Sequence, residues 1–282
     1  MSQILSGKEV AYSISKALKN KVESLKLKGI FPTLAIVRVG EKAADLSYEK
    51  GAVKRCNDIG IKVKKITLPE ETTTEQLLKV IYDINENKQI HGCLMFRPLP
   101  HQIDEQYVCN SLSAEKDIDS ITEKSLNGVF VNRKVGFPPC TAQACLEILD
   151  YYGYSVQGKR VVVIGRSLVI GKPLAMMLLN RNATVTICHS KTENLPLVCS
   201  SADILIAAVG RSKMVNEKFV NPDQIVLDVG INVNQSGQLT GDVDFGEIEN
   251  HVAAITPVPG GVGSVTTSVL CKHVIEAAEN QI

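Results

Sequence analysis

The apolar run Val161–Ile164, which leads directly into a turn bounded by glycines, constrains the fold more than any other feature of the sequence. Consecutive β-branched residues predict a strand buried on both faces, as in a parallel sheet. The turn Gly165–Gly171 comes next, and the apolar spacing from Lys172 to Asn180 predicts a helix after it. A strand, a tight turn and a helix in this order predict a doubly wound α/β sheet.

The same alternation of strands and helices covers the rest of the chain. Before this run, the spacing predicts helices over 8–27, 45–58, about 72–87 and 141–152, and strands over 34–40, 61–68 and 92–96. After it, the pattern predicts strands over 184–188, 203–208 and 224–229 and a closing helix over about 266–279. Thr72 with Glu75 fits a capping box, and Thr141 fits an N-cap.

The alternation breaks at the prolines of Phe137–Cys140, and we predict a domain boundary there. The first α/β domain covers residues 1–138, and we expect a closing helix over 265–282 to pack back on it. The second covers residues 139–264 and forms a Rossmann-type, doubly wound parallel sheet. A length of 282 residues suits two domains of ordinary size.

Charge and cysteine content narrow the class of protein. The 31 lysines and arginines balance 30 aspartates and glutamates, and a net charge of +1 favours small-molecule partners over nucleic acid or an anionic membrane. No uninterrupted apolar run reaches membrane-spanning length. None of the eight cysteines forms a C-x-x-C pair, which predicts buried free thiols, no metal site and a reducing cytoplasm.

The turn after Ile164 suits a pyrophosphate. Gly165 permits a tight turn, Gly171 permits close approach of the backbone, and Pro173 suits the first turn of a helix whose N–H groups attract anions. The match to G-x-G-x-x-G is imperfect, because Ser167 stands at the second glycine and the last glycine comes one residue late. The fingerprint alone is therefore a weak signal.

Residues after the next predicted strand indicate which dinucleotide binds. An NAD site usually places a carboxylate there, whereas this chain has Ser190 and Lys191, with Arg166 in the preceding turn. A hydroxyl and two cations suit the 2′-phosphate of NADP, and NAD stays the alternative. An ordinary polar turn with a solvated arginine also fits these residues. His189 beside them is more typical of a structural histidine than of a catalytic one.

Two later segments fit the walls of the same cleft. A predicted strand ends in Asp228–Asn232, where Gly230 lets backbone groups approach a ring, and the stretch Thr256–Gly263 holds two prolines and three glycines before a helix. A connector with unusual dihedral angles explains these segments equally well.

With these motifs the chain resembles the methylenetetrahydrofolate dehydrogenase/cyclohydrolase family over nearly its whole length. The resemblance is strongest in Val163–Ser167, Gly171–Pro173, His189-Ser190, Asp228–Asn232, Gly241–Val243 and Thr256–Gly263. It implies an NADP-linked, homodimeric enzyme of one-carbon metabolism and purine biosynthesis, with tetrahydrofolate derivatives bound between its domains. We predict that the cofactor contacts Gly165, Arg166, Ser167, Gly171, Lys172, Pro173, Ser190, Lys191, Gly230 and Ile231. We predict that the folate contacts Tyr48, Phe96, Asp119, Pro259, Gly260 and Gly261.

The resemblance is incomplete at the catalytic positions. Tyr48 and Asp119 match a family tyrosine and aspartate, and we predict that both are catalytic. The family lysine four residues after the tyrosine is Ala52, a family glutamine is Phe96, and the glycine after the aspartate is Ser120. For Asp119 the alternative role is that of a capping or loop-stabilising aspartate, and Tyr48 alternatively belongs to the core.

The lysines nearest to Tyr48 on its helix do not replace the missing amine, and a lysine from another element is the alternative. On a helix a residue four after Tyr48 lies about 40° away, whereas Lys50 and Lys54 lie about 200° and 240° away and point elsewhere. Arg97 is another nearby cation, but arginine stays protonated and is a poor proton shuttle.

The two family reactions make different demands on this site. Oxidation of 5,10-methylenetetrahydrofolate transfers a hydride to nicotinamide and needs positioning and electrostatics rather than a side-chain base. Hydrolysis of the methenyl product needs activated water and proton transfer, which suit a lysine of lowered pKa. The sequence therefore predicts an NADP-dependent dehydrogenase with weak or absent cyclohydrolase activity. The alternatives are the full bifunctional enzyme and a catalytically idle homologue that only binds folate or nucleotide.

Overall fold

The computed structural model describes residues 2–233 and 237–281. Met1 and Ile282, the outer ends of the predicted first domain and closing helix, lie outside these residues. In the described chain the helices are α1 (Gly7–Leu27), α2 (Ala43–Ile59), α3 (Thr74–Glu86), α4 (Glu105–Ser111), α5 (Glu123–Phe130), α6 (Cys140–Tyr151), α7 (Gly171–Leu179), α8 (Leu195–Ser200), α9 (Phe245–Ile248) and α10 (Val262–Asn280). A short 3₁₀ helix covers Glu217–Phe219.

Strands alternate with these helices through most of the chain. They are β1 (Gln3–Ile4), β2 (Thr33–Val39), β3 (Lys62–Leu68), β4 (Gly92–Met95), β5 (Arg160–Ile164), β6 (Thr184–Cys188), β7 (Ile204–Ala207), β8 (Ile225–Asp228), β9 (Asn232–Val233), β10 (Leu239–Thr240) and β11 (Ala254–Ile255). The chain divides into two compact units, residues 2–12 with Thr141–Thr266 and Ser13–Cys140 with residues 267–281.

The first of these, here the six-stranded unit, contains one parallel sheet in the order β1-β11-β8-β7-β5-β6. The predicted run Val161–Ile164 is buried in β5, with at most 4% of any of its side chains exposed. Its core includes Val162, Leu205 and Val226 from three neighbouring strands. Burial on both faces explains why these strands read as continuous apolar runs.

The second, here the three-stranded unit, has a parallel sheet in the order β3-β2-β4. Leu77, Ile81 and Ile84 on one face of α3 pack into the core of this sheet, because they recur at helical spacing. Gly60 ends α2 in the left-handed conformation (φ 95°), and its N–H donates to the Cys56 carbonyl. The predicted two-domain α/β class with a parallel C-terminal sheet is confirmed.

Two of the predicted helix caps are wrong. The capping box of α3 pairs Thr73 with Gln76 rather than Thr72 with Glu75, since the Thr73 hydroxyl accepts from the Gln76 N–H and the Gln76 side chain accepts from the Thr73 N–H. Three consecutive threonines offer the same capping chemistry, and the sequence did not distinguish them. Thr141 does not cap α6, because that helix already begins at Cys140.

All eight cysteines are buried thiols, as predicted. Among the described residues, no helix is both long enough and apolar enough to cross a membrane.

Candidate functional site

Tyr48 and Phe96 form an aromatic pair in the three-stranded unit. Tyr48 lies on α2, and Phe96 follows the last residue of β4. Their ring centroids are 5.9 Å apart and their planes are 81° apart, so the rings meet edge to face. The Phe96 N–H donates to the carbonyl of Val37 on β2, which fixes the backbone beneath the ring. Both predicted substrate residues therefore lie together at the carboxyl edge of this sheet.

Asp119 lies at the same edge. Asp117 forms a parallel bridge with Cys93 of β4, and the chain then turns through Ile118 to Asp119. One Asp119 carboxylate oxygen accepts the N–H of Cys140 at 2.7 Å. Burial raises the pKa of Asp119 to about 6, against the lowering effect of the Cys140 N–H. The carboxyl group thus titrates close to neutral pH.

The phenol of Tyr48 shares the environment of this carboxyl group. Burial raises the pKa of Tyr48 well above its ordinary value, and the charge of Asp119 adds to the effect. The thiols of Cys140, Cys271 and Cys56 raise it further. Tyr48 is therefore a neutral hydroxyl at physiological pH, able to donate a hydrogen bond but not to act as a base.

Ala52 lies on the buried face of α2, with none of its surface exposed. One helical turn further on, the Cys56 thiol lies 3.7 Å from the Cys271 thiol. Lys50 and Lys54 are exposed, as the helical spacing predicts. The buried face of α2 thus presents a methyl group and a thiol, and its lysines face away.

A buried ion pair fixes the helix that carries Tyr48. Glu49, 6% exposed, accepts from Arg38 of β2 at 3.1 Å and from Lys65 of β3 at 2.7 Å. Burial alone raises the pKa of Glu49, but its ion pairs with Lys65 and Arg38 outweigh that and lower it overall. Because both partners lie on the sheet, the pair holds α2 in a defined register over β2 and β3.

The predicted phosphate turn links β5 to α7 in the six-stranded unit. Gly165 adopts φ 124°, which few other residues tolerate, and its N–H donates to the Cys188 carbonyl at 2.9 Å. A Cβ atom on Gly171 would overlap the Gly165 carbonyl, so the start of α7 packs directly on the end of β5. Ser167 accepts the Ile170 N–H on its hydroxyl at 3.2 Å and the Lys172 N–H on its carbonyl at 3.0 Å.

Sheet register brings the predicted 2′-phosphate residues to one edge. Ile164 of β5 pairs with Cys188 of β6, so Arg166 and Ser190 leave the two strands at equivalent positions. Both side chains are exposed, as is that of Lys191. The His189 ring nitrogen Nδ1 accepts the Lys191 N–H at 3.2 Å, which is the structural role expected of this histidine.

Two buried aspartates shape the neighbouring strand ends. Asp242 accepts the N–H groups of Val209, Gly210 and Arg211 at 2.6–3.0 Å. Asp228 accepts the N–H groups of Gly230, Asp242 and Val243 at 2.9–3.1 Å.

These contacts leave no room for a side chain on Gly230. A Cβ atom there would overlap the Asp242 carboxylate. Burial raises the pKa of Asp228 to about 7, against the N–H donors that lower it. Ile231, the next residue, is 61% exposed.

The predicted folate residues Pro259, Gly260 and Gly261 belong to the six-stranded unit, with the predicted cofactor residues. Gly260 adopts φ 105°, and a Cβ atom on Gly261 would overlap the Pro257 carbonyl. The Gly260 carbonyl accepts the Gly7 N–H at 2.9 Å. Glycine is therefore required at both positions by the backbone itself.

Sequence reasoning assigned no role to several groups that build these sites. Asp228 and Asp242 lie in the segments Asp228–Asn232 and Gly241–Val243, and an aspartate beside a glycine at a strand end is a sequence signal that could have indicated their role. No such signal exists for Cys140 and His273. The Cys140 thiol lies 3.6 Å from the His273 ring nitrogen, but the two residues are 133 positions apart in the sequence.

Comparison with known proteins identifies both parts of the chain. Residues 5–119 match the model of the catalytic domain of tetrahydrofolate dehydrogenase/cyclohydrolase. Residues 139–282 match the NAD(P)-binding domain of the same family. The predicted family resemblance and the predicted nicotinamide dinucleotide cofactor are thereby confirmed.

Individual relatives agree over the full length. The chain is 53% identical to the bifunctional protein FolD of Carboxydothermus hydrogenoformans, covering 99% of this chain and 98% of that protein. The crystal structure of FolD from Campylobacter jejuni superimposes with a TM-score of 0.98 at 37% identity, covering 100% of both chains. The Trypanosoma brucei enzyme, solved with NADP cofactor and an inhibitor, gives 0.93 at 32% identity, covering 99% of this chain and 98% of that one.

Proposed function

Because the chain belongs to the tetrahydrofolate dehydrogenase/cyclohydrolase family, we propose that it oxidises 5,10-methylenetetrahydrofolate to 5,10-methenyltetrahydrofolate with NADP and that its cyclohydrolase step is weak or lost. The observation that carries the second part is Ala52, a fully buried methyl group where the family resemblance requires a lysine. Tyr48, beside it, is a neutral phenol whose pKa lies well above its ordinary value.

The turn Gly165–Gly171 fits a dinucleotide. Its glycines let the start of α7 pack directly on the end of β5, which brings the helix N-terminus to the turn. Arg166, Ser190 and Lys191 supply a guanidinium, a hydroxyl and an ammonium at one exposed sheet edge. Bound NADP supplies the hydride acceptor. Gly230 and Ile231, set by the Asp242 contacts, would line the nicotinamide end. Gly171, Lys172 and Pro173 would lie at the phosphates.

Tyr48, Phe96 and Asp119 would hold the folate, together with Pro259, Gly260 and Gly261. A carboxylate accepts paired hydrogen bonds from the aminopyrimidinone edge of a pterin, and Asp119 has one oxygen already fixed by the Cys140 N–H. The edge-to-face pair of Tyr48 and Phe96 offers an apolar wall for the ring system. These residues bind and orient the substrate, and orientation is most of what hydride transfer asks of the protein.

Hydrolysis of the methenyl product asks for more. Water must lose a proton as it attacks, and a ring nitrogen must gain one as the carbon–nitrogen bond breaks. Tyr48 is too weak an acid to exchange protons near neutral pH, and an arginine such as Arg97 is a poor proton shuttle. The Asp119 carboxyl titrates at about 6 but is engaged in substrate binding under this proposal. Dehydrogenase activity therefore survives the loss of the lysine better than cyclohydrolase activity does.

Two absorbance measurements on the purified protein test this proposal. NADPH formation with methylenetetrahydrofolate is expected, and decay of added methenyltetrahydrofolate is expected at nearly the uncatalysed rate. Rapid enzymatic decay would instead establish the full bifunctional enzyme that the FolD relatives are named for. Folate binding without formation of NADPH from NADP or of NADH from NAD would establish an idle binding homologue.

We propose that residues 1–138 with 265–282 form the folate domain and residues 139–264 the NADP domain. We also propose a cytoplasmic homodimer, as the family resemblance implies. Light scattering behind size exclusion chromatography checks the dimer, and a mass of one chain would contradict it.

A further inference from the structure

His273 is a buried histidine on α10 that touches the segment carrying Asp119. It is 3% exposed, and its ring nitrogen Nδ1 lies 2.8 Å from the carbonyl oxygen of Ile118, the residue before Asp119. Because a carbonyl oxygen only accepts, Nδ1 carries a proton and donates a hydrogen bond to the Ile118 carbonyl. The ring also lies against Phe137, with centroids 5.0 Å apart.

Cys140 links the same carbonyl to the Asp119 carboxylate. Its thiol donates to the Ile118 carbonyl at 3.3 Å and lies 3.6 Å from His273 Nδ1, while its backbone N–H donates to Asp119 at 2.7 Å. The backbone before Asp119 and the carboxylate itself are therefore held by two adjoining residues. A change at His273 reaches both through contacts of hydrogen-bond length.

The other side of the turn is fixed independently. Asp117 is fully buried, and its two oxygens accept the N–H groups of Ile121 and Thr122 at 2.9 and 2.8 Å. Ser120 between them adopts the left-handed conformation with φ 57°. Only residues 118–120 lie between these fixed points, and the orientation of the Ile118–Asp119 peptide is set by what its carbonyl contacts.

We propose that His273 is a positioning residue for Asp119. Its Nδ1–H fixes the Ile118–Asp119 peptide, so that the Asp119 carboxylate is preorganised for the pterin edge of the folate before the substrate arrives. This inference rests on the proposed function, since it takes Asp119 to be the pterin acceptor. His273 touches neither the substrate nor the reacting atoms under this proposal.

Two variants separate the donor from the ring. His273→Phe keeps an aromatic ring against Phe137 and removes the donor, whereas His273→Asn keeps a donor near the Nδ1 position and removes the ring. We expect His273→Phe to raise KM for methylenetetrahydrofolate about tenfold, the scale of one lost orienting hydrogen bond. His273→Asn should recover most of that loss, and KM for NADP should change less than about twofold in either variant.

His91→Phe is the matched control. His91 is also buried, at 6% exposed, but it precedes β4 at the opposite edge of the sheet, where its Nδ1 accepts the Thr33 N–H. This variant should lower stability without raising KM for folate. Equal losses of activity in both His273 variants, tracking the folded fraction with KM unchanged, would show a merely structural residue and overturn the positioning role.

A measurement on the unaltered protein keeps the inference testable if His273→Phe does not fold. Long-range proton–nitrogen NMR should show a protonated Nδ1 in the one of the five histidines whose signal His273→Asn removes. An unprotonated Nδ1 would overturn the inference. The unaltered protein and Asp119→Asn distinguish this role from the proposed function. No NADPH formation by the unaltered protein would overturn the proposed function. In an active protein, a normal KM for folate in Asp119→Asn overturns the pterin-acceptor role of Asp119 and the positioning role together, whereas a raised KM beside an unaffected His273→Phe overturns only the positioning role.

Discussion

The ring of Phe96 meets the ring of Tyr48 edge to face, with centroids 5.9 Å apart and planes at 81°. The pair closes one side of the Asp119 site with apolar surface, beside a helix face that presents Ala52 instead of an amine. Such surroundings offer few groups that could exchange a proton with water, whereas the apolar rings of Tyr48 and Phe96 can pack against the flat ring of a pterin.

Restoring an amine at position 52 tests whether its absence explains the weak cyclohydrolase activity that we propose. Ala52→Lys is expected to speed methenyltetrahydrofolate hydrolysis at least about tenfold, because burial lowers the pKa of a lysine toward neutrality. Ala52→Met is the matched control, since it adds a chain of similar length without the amine. Decay of methenyl absorbance measures both, and an equal gain from the methionine variant would contradict the explanation.

The folate site should depend on pH through Asp119. Its raised pKa of about 6 means that the carboxylate is lost as pH falls through that value, and KM for folate should rise about tenfold between pH 7.5 and pH 5. Asp119→Asn keeps the acceptor for Cys140 and removes the charge, so its KM should be high and flat over this range. A wild-type KM that stays constant down to pH 5 would exclude the ionised form as the pterin acceptor.

The raised pKa of Asp119 also makes the stability of the protein depend on pH. In the unfolded chain the carboxyl ionises at its ordinary pKa, whereas the folded protein keeps the proton up to about pH 6. The contribution of Asp119 to the free energy of unfolding is therefore largest in acid and falls as pH rises from 4 to 6. Urea unfolding of wild type and Asp119→Asn at pH 4.5 and 7 checks this, with the variant gaining on the wild type at pH 7.

Cofactor selectivity should depend on Arg166. Arg166→Ala is expected to raise KM for NADP about tenfold or more and leave KM for NAD nearly unchanged, because only the 2′-phosphate makes a charge-assisted contact. Arg160→Ala is the control, since Arg160 begins β5, the strand that leads to Arg166, and pairs with Asp203 at 3.0 Å. Equal effects on both dinucleotides would remove the argument from this turn.

Asp242 should contribute strongly to the free energy of unfolding, because its buried carboxylate accepts three backbone N–H groups. Asp242→Asn puts an amide N–H₂ group against backbone N–H donors and is expected to cost about 2–4 kcal/mol in the free energy of unfolding. Asp244→Asn, two residues away, breaks only a partly exposed pair with Lys213 and should cost under about 1 kcal/mol. Denaturant titration of the two variants measures the difference.

The sequence pattern predicted the features that depend only on residues close together in the chain. The run Val161–Ile164 gave β5, and the 100° spacing placed Ala52 inside α2 and Lys50 outside it. The start of α6 was misplaced because Asp119, from a distant segment, accepts the N–H of Cys140 and no local cap is needed. Contacts of this kind join residues far apart in sequence, and no periodicity records them.

Short strands were missed for a related reason. β1 and β11 have two residues each and pair with one another across most of the chain. Two residues carry no detectable alternation, so only the assembled sheet shows them.

The chain passes between its two compact units within α1, α6 and α10, so each unit is assembled from separate stretches of sequence. Residues 267–281 complete the three-stranded unit, yet they follow the whole of the six-stranded unit in the chain. During synthesis they leave the ribosome last of these segments, long after Ser13–Cys140 has emerged. The three-stranded unit, which includes the buried His273, therefore cannot complete its fold until the dinucleotide-binding segment Thr141–Thr266 has been synthesised.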